Sequence, residues 1–520
     1  MQTQQLTDFL QSPEKIEKII PDKTQEDIVT QAQAQVVETE VEDLNIIDEE
    51  SGLTFDDVFT YLDQGQMGIA EIYKIMFRSK YVLNKTEEKW MYFNDVIWVI
   101  DTKDNYIESA KKIYRVLQSF IKNPLLDNKT RKYLAKKIDR LTDFNFQKQV
   151  CRQASVGDAG LCIDINDMNA DPRYIAANNG IIDLHTGNLL PPDPELYITN
   201  KTGTNYNPEA SEPESFLKFL RDIFKYPFLP EEINYNSQEE FENKSQEECE
   251  KVIDYIQKLF GYSLLGHNKN SFFIIFQGSG RNGKSTMINL ITDVLGDYAY
   301  PVDPNLFLSK NTTQSSSNPR PDILKLQNKR LVIASETKKG EKLDESFIKN
   351  MTGHDKLTAR ALHSNNIVSF TPTHTPILQT NELPLTSVDD IALWERMHRV
   401  PFYRFYGDEN SEKFNPQNPY HGYKDKELEL KISCEREEIL KWVVDGALKY
   451  QEEGFLIPES IRYATKMYQH KSDDLYEFIN ECCQVEDGLR VKKPAFHSAF
   501  NSCVFPASLR EKFEGLGYYR

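Results

Sequence analysis

Phe272-Phe-Ile-Ile-Phe-Gln-Gly278-Ser279-Gly280-Arg281-Asn282-Gly283-Lys284-Ser285-Thr286 is the stretch that decides the fold. Its first five residues are an unbroken apolar run suited to a buried strand. Residues 278–285 fit G-x-x-x-x-G-K-[ST]. The glycines let the backbone curl so that several amide N–H groups face one phosphate chain. Lys284 brings charge to the β and γ phosphates, and the Ser285 hydroxyl suits Mg²⁺. Beyond the loop, Met287, Leu290, Ile291, Val294 and Leu295 fall on one helical face, and Gly296 supplies a stop. Average residue usage would produce the bare pattern in about 2 of 100 random chains of this length, before the flanking strand and helix are required. The order strand, loop, helix therefore predicts a nucleoside triphosphate site at residues 278–286.

Hydrolysis also needs an acid to hold the metal and a group to position water, both at neighbouring strand ends. Leu331–Ala334 is a second buried-strand candidate, and Glu336 lies just past its C-terminal end, where open α/β sheets place their chemistry. Glu336 is the expected water-activating, metal-associated acid, sharing Mg²⁺ with Ser285. A third short strand, Pro376–Thr380, brings Asn381 to the same edge, where an amide can bond the water or the γ-phosphate. Trp394-Glu-Arg396-Met-His-Arg399 offers two planar guanidinium groups suited to spreading charge over phosphate oxygens. Between these segments, Lys356-Leu-Thr-Ala-Arg360 and Ile367-Val-Ser-Phe370 read as two strands around a turn at His363 to Asn366.

Composition sets outer limits. The 520 residues carry 62 Lys and Arg against 80 Asp and Glu, a net charge of -18. A chain this long has room for two to four domains. The five-residue run at 272–276 falls far short of the roughly 18 apolar residues a membrane span requires. The polar, then acidic start lacks the basic and apolar regions of a secretory signal, so the expectation is an intracellular address and no secretion. Seven scattered cysteines, with only Cys482 and Cys483 adjacent, suggest neither a disulfide framework nor structural zinc. The acidic total is uneven: residues 1–50 hold 13 acidic and 3 basic side chains, and Glu231 to Glu250 holds eight glutamates. The first predicts a disordered tail or tether, the second an inserted loop or solvated helix. Global charge is thus a poor guide to any local pore.

Upstream, Lys89 to Asp101 reads as two aromatic strands around Asn94-Asp95, and Ile107 to Leu141 as helices. Ile175 to Leu190 reads as strands broken by Asn-Asn-Gly and His-Thr-Gly-Asn turns. Ser215 to Tyr226 and Glu250 to Leu265 have helical spacing.

Taken together, GSGRNGKST (278–286), RLVIASET (330–337), MTGHDKLTAR (351–360), LQTNELP (378–384) and LWERMHRVPF (393–402) resemble the superfamily 3 helicases, in the branch of poxvirus-type and phage or plasmid primase-helicases. The resemblance runs from about Lys89 to the C-terminus. It implies an α/β fold with an AAA+-like P-loop ATPase core at 250–403. A mixed α+β helicase-associated domain would occupy 51–249, the acidic tail 1–50, and a mainly helical, winged-helix-like region 404–520. It implies ATP and Mg²⁺ as cofactors, with Lys284, Glu336 as Walker B acid, Asn381 as sensor and Arg396 as arginine finger; Arg399 is a second candidate. It also implies a homo-oligomer, a hexameric ring, in which the finger serves ATP on the adjacent subunit. The hairpin would then line the channel, with Lys356, Arg360 and His363 on DNA phosphates. Single-stranded and forked DNA would be the partner, with 3′ to 5′ travel. The short acidic start predicts a helicase without a primase, serving a viral, phage or plasmid replication system beside a separate primase or polymerase. A packaging motor, a nucleoprotein remodeller and an ATP-binding origin scaffold remain alternatives.

Overall fold

The computed structural model describes residues 46–122, 126–229, 235–309, 319–338, 340–360, 367–472, 478, 482–483 and 490–504, so the tail expected over 1–50 lies almost wholly outside the described residues. The chain divides into two units, Met1–Ala170 with Pro194–Thr199, and Asp171–Asp193 with Asn200–Arg520.

In the first unit, α1 (Phe55–Leu62) is fixed at its start by a reciprocal cap: the Asp57 N–H donates to the Thr54 hydroxyl, and the Asp57 carboxylate accepts from the Thr54 N–H. It leads into α2 (Gln66–Phe77), whose Ile69, Ile72, Tyr73 and Phe77 are buried. A four-stranded sheet follows, formed by β1 (Tyr81–Asn84), β2 (Lys89–Phe93), β3 (Trp98–Ile100) and the short β4 (Cys162–Ile163), in the order β3-β2-β1-β4. The expected aromatic hairpin is present, and its turn holds Asp95 at φ +71° while the Asn94 carboxamide oxygen accepts from the N–H groups of Val96 and Ile97. Three helices, α3 (Asn105–Ile121), α4 (Asn128–Ile138) and α5 (Phe144–Ala154), complete the unit. Ala110, Ile113, Leu117, Leu134, Ile138 and Val150 join α2 in one core.

The second unit opens with an antiparallel sheet, β5 (Tyr174–Ala177), β6 (Gly180–Asp183) and β7 (Leu189–Leu190), matching the strand-and-turn reading of that segment. Two helices follow, α6 (Glu214–Ile223) and the 27-residue α7 (Gln238–Leu264). The glutamate-rich stretch is the first half of α7 from residue 238 onward, and the buried half begins near Cys249. Five strands then form one sheet: β8 (Phe273–Gln277), β9 (Ala299–Val302), β10 (Leu331–Ser335), β13 (Thr375–Thr380) and β14 (Met397–Pro401). Every pairing is parallel and the order is β9-β10-β13-β8-β14. Helix α8 (Lys284–Leu295) follows β8, and α9 (Glu345–Thr352) leads into an antiparallel hairpin of β11 (Leu357–Arg360) and β12 (Ile367–Phe370). Downstream lie a small parallel pair, β15 (Phe405–Gly407) and β16 (His421–Tyr423), then α10 (Arg436–Glu453), α11 (Glu459–Lys471) and α12 (Lys493–Val504).

The observed division departs from the expected boundaries at 249/250 and 403/404. Ile175, Ile182, Phe216, Phe219 and Leu220 share one buried cluster with Ile274, Val294 and Leu295, so the segments 171–193 and 200–249 belong with the parallel sheet. The same cluster takes in Leu440, Val443 and Ala447 of α10, which removes the break expected after residue 403. Nor is the α10 contact ordinary side-chain packing. A Cβ on Gly261 would come within 2.1 Å of the Ala447 backbone nitrogen, and one on Gly446 within 2.2 Å of the Gln257 carbonyl oxygen. Helices α7 and α10 therefore touch backbone to backbone, which only glycine permits. As for the winged-helix expectation, no strand follows Tyr423 among the described residues.

Each glycine is expected to be irreplaceable even by alanine. Gly261→Ala and Gly446→Ala should each destabilise the second unit by ~1–3 kcal/mol, read from the denaturant midpoint.

Candidate functional site

Because all five strands run parallel, their C-terminal ends share one edge, and three loops emerge side by side: Gly278 onward from β8, Glu336 from β10 and Asn381 from β13. The phosphate-binding loop has the expected backbone. Gly280, Arg281 and Gly283 take φ of +92°, +49° and +82°. A Cβ on Gly283 would lie 2.6 Å from the Ile223 side chain, so α6 backs the loop. A cavity of about 290 Å³ opens between residues 280–286, Glu336 and the segment Gln379 to Asn381.

Lys284 is 3% exposed, and its ammonium donates to the Gly278 carbonyl at 3.0 Å and to the Asn381 carboxamide oxygen at 3.1 Å. Burial lowers it from the ordinary lysine value to about 8, with Glu336 pulling the other way. Two neutral oxygens thus hold the cation where phosphate oxygens would serve it better. The Ser285 hydroxyl accepts from the Gln379 amide at 2.5 Å, and the Gln379 backbone carbonyl accepts from the Glu336 N–H at 2.8 Å. One residue of β13 therefore holds both the Ser285 hydroxyl and the backbone of Glu336. Glu336 itself stands at φ +66°, a left-handed conformation that non-glycine residues adopt at a cost and that turns its side chain off the strand line. The Asn282 amide nitrogen is buried without a partner. These donors and oxygens suit a triphosphate with Mg²⁺: Lys284 and the loop amides face the anion, and Ser285 and Glu336 are oxygen ligands of the hard type that Mg²⁺ takes.

The remaining expected residues fall elsewhere. Arg396 precedes β14, at the opposite edge of the sheet from the loop, and its guanidinium donates to the Ala392 carbonyl at 2.7 Å. Arg399, the second finger candidate, is buried within β14 and occupied, donating to the Ala464 carbonyl at 3.1 Å and to the Gln277 carboxamide oxygen at 3.0 Å. The Gln277 amide in turn donates to the Asn381 carbonyl at 3.1 Å. Lys356 is exposed just before β11, and Arg360 is half-buried at the end of that strand, where its carbonyl accepts from the Arg320 N–H. The hairpin is as expected, with Arg360 opposite Ile367, but His363 and the rest of its tip lie outside the described residues. Gln379 and Gln277 were missed by the sequence reading. The available signal was a pair of polar residues in otherwise buried parallel strands, each close to a loop carrying chemistry.

Residues 70–225 match the family described as "D5 N terminal like", and residues 276–396 match a family of unknown function, DUF5906. The chain is 27% identical over 369 residues to "Putative helicase L207/L206" of Acanthamoeba polyphaga mimivirus, covering 68% of this chain and 35% of that protein. It is 22% identical to "Putative helicase V13" of Sputnik virophage, covering 78% and 49%, and 23% identical to "Putative primase C962R" of African swine fever virus (strain Badajoz 1971 Vero-adapted), covering 65% and 33%. The chain thus spans about a third to a half of the length of these relatives. Among solved structures, the apo C-terminal region of NrS-1 (305–718) aligns with a TM-score of 0.43 at 12% identity, covering 86% of each chain. Among the described residues, no helix is long and apolar enough to cross a membrane.

Lys284 is charged below about pH 8 and loses its proton as pH rises through that value. A bound triphosphate favours the ammonium and raises its pKa. Nucleotide affinity should therefore be constant below about pH 8 and fall above it, until the pKa of the complex is passed. Titration of a fluorescent ATP analogue across this range should show the slope in the native chain and none in Lys284→Met. Gln379→Leu should leave nucleotide binding within about threefold but raise the Mg²⁺ concentration for half-maximal turnover by about tenfold, a typical outcome when the partner of a metal ligand is lost.

Proposed function

We propose that this chain, similar to viral proteins named for helicases and primases, is an ATP-driven DNA helicase of a viral replication system, built on an AAA+-like core and acting as a hexameric ring. The observation that carries this reading is the meeting of Lys284, Ser285, Glu336 and Asn381 at one edge of a five-stranded parallel sheet. Support also comes from the order in which the chain builds that sheet: its first strand lies between its fourth and fifth, and its second and third extend beyond the fourth.

The phosphates of ATP lie in the amide cradle of residues 280–286, and Lys284 exchanges the Gly278 and Asn381 oxygens for those of the β and γ phosphates. Ser285 and Glu336 would hold Mg²⁺, which would supply positive charge against the phosphate oxygens. Glu336 accepts a proton from the attacking water, and Asn381, released from Lys284, orients that water or the γ-phosphate. Arg396 lies too far along its own sheet to reach this pocket, so it serves the pocket of an adjacent subunit. Arg399, already bonded to Ala464 and Gln277, holds the sheet to α11 in this reading.

Turnover is coupled to DNA through the hairpin of β11 and β12, with Lys356, Arg360 and His363 on the phosphates of one strand and travel 3′ to 5′. A separate primase or polymerase acts at the same intracellular replication site.

A mixing experiment tests both the site and the shared pocket. Lys284→Ala and Arg396→Ala should each reduce single-strand-stimulated ATP turnover by at least about 100-fold. An equimolar mixture should recover a measurable fraction, because some interfaces then pair an intact loop with an intact finger. Turnover retained by Lys284→Ala would overturn the site, and no recovery on mixing would overturn the assignment of Arg396 across subunits.

A further inference from the structure

The chain is strongly acidic, yet residues 103–152 hold 13 Lys and Arg against 5 Asp and Glu, a net charge of +8 within fifty residues. These residues make up α3, α4 and α5 of the first unit. The helical register sorts their charge. On α3 the buried positions are Ile107, Ala110, Ile113 and Leu117, while Lys111, Arg115 and, just past its end, Lys122 are exposed. On α4 the buried positions are Leu134 and Ile138, and Lys129, Lys132 and Lys136 form an exposed stripe at spacings of three and four. At 1.5 Å per residue the two stripes run ~16 Å and ~10 Å, lengths that follow several phosphates of a nucleic-acid strand.

A solvated helix face usually interleaves both signs, but here the counter-charges are few. Lys112 pairs with Asp48 and Glu50, Lys137 with Asp63, and Lys111 with Glu108. Among the described residues no carboxylate lies within 4.0 Å of the cationic groups of Arg115, Lys122, Lys132 or Lys136. Tyr133 stands within the α4 stripe, 37% exposed, with the Lys137 ammonium over its ring. Like charges left together at a cost in repulsion, without local neutralisation, mark a surface that meets a polyanion.

We propose that the exposed face of α3 and α4 binds the phosphodiester backbone of nucleic acid without base preference. This is a site on the first unit, separate from the hairpin of the second, and it rests on the reading of the chain as a DNA-dependent enzyme. It reconciles that reading with a net charge of -18, since cations are concentrated on these two helices. Phosphate contacts of this kind fix register and orientation and carry no sequence information.

The test is fluorescence anisotropy of labelled single-stranded and duplex DNA on the full chain carrying Arg115→Ala, Lys122→Ala, Lys132→Ala and Lys136→Ala together. The expected result is at least about tenfold weaker binding at low salt, with the slope of log affinity against log salt reduced by about three. ATP turnover without DNA should be unchanged, which certifies the fold. The control Arg462→Ala with Lys466→Ala, two exposed cations of α11, should bind as the native chain. Native affinity and slope in the quadruple variant would overturn the proposal. So would a variant that binds DNA normally but no longer binds a peptide of residues 1–45, because the face would then be a dock for the chain's own acidic segment. If the ATP site reading fails instead, turnover is absent in every form while the loss of DNA binding stands, so the two failures are distinguishable.

Discussion

A buried ammonium without a buried carboxylate is the constraint on which the second unit depends. Lys284 is almost wholly enclosed, and its hydrogen-bond partners are neutral oxygens from Gly278 and Asn381. Holding such a charge out of water costs several kcal/mol unless an anion arrives. The parallel sheet makes that tolerable: β8 and β13 are adjacent, so the loop after one and the residue after the other converge on the same cation. In the proposed reading, a phosphate arriving in the cavity would meet a donor already desolvated.

The same adjacency explains why β13 matters beyond its Asn. Gln379 gives its side chain to Ser285 and its carbonyl to Glu336, so the hydroxyl on α8 and the acid after β10 are positioned by the strand lying between them. The left-handed backbone at Glu336 is stabilised by this bond to Gln379. Strain of this kind persists only where surrounding structure over-determines it, and the fully buried β13, which carries Gln379, supplies that rigidity.

Much of this was legible in the sequence because the signals were local. The apolar run 272–276, the glycine spacing of the loop and the helical stripe from Met287 to Leu295 each predict their own element, and β8 and α8 fall where expected. The hairpin around Asn94-Asp95, the strands from Tyr174 and the helices from Asn105 follow from the same kind of pattern. What was not legible depended on partners far apart in the chain. The boundary expected at 249/250 rested on a change in composition inside α7, and a solvated helical half continuing into a buried one produces that change without any domain break. The attachment of the C-terminal helices turned on Gly261 meeting Ala447 and Gly446 meeting Gln257, and a glycine in a helix carries no local mark of what it approaches. Gln277 and Gln379 read as ordinary strand residues until the neighbouring strands are known.

Arg399 shows how such long-range bonds bear on chemistry. From β14 it reaches Ala464 on α11 and Gln277 on β8, and Gln277 reaches the backbone of Asn381, whose side chain holds Lys284. Three residues, two on strands and one in a loop, thus join α11 to the Lys284 ammonium. An arginine suits this position because its planar fork satisfies two acceptors in different directions while staying charged in a buried setting. A lysine there would present a single point of contact and would lose its proton more readily when desolvated. Asn381 is consequently anchored through its backbone by the protein interior, which leaves its side chain as the part able to exchange Lys284 for another partner. An arginine committed to that anchoring is unavailable for any other pocket, whereas Arg396, only three residues away but at the far edge of the sheet, carries no such bond to the site.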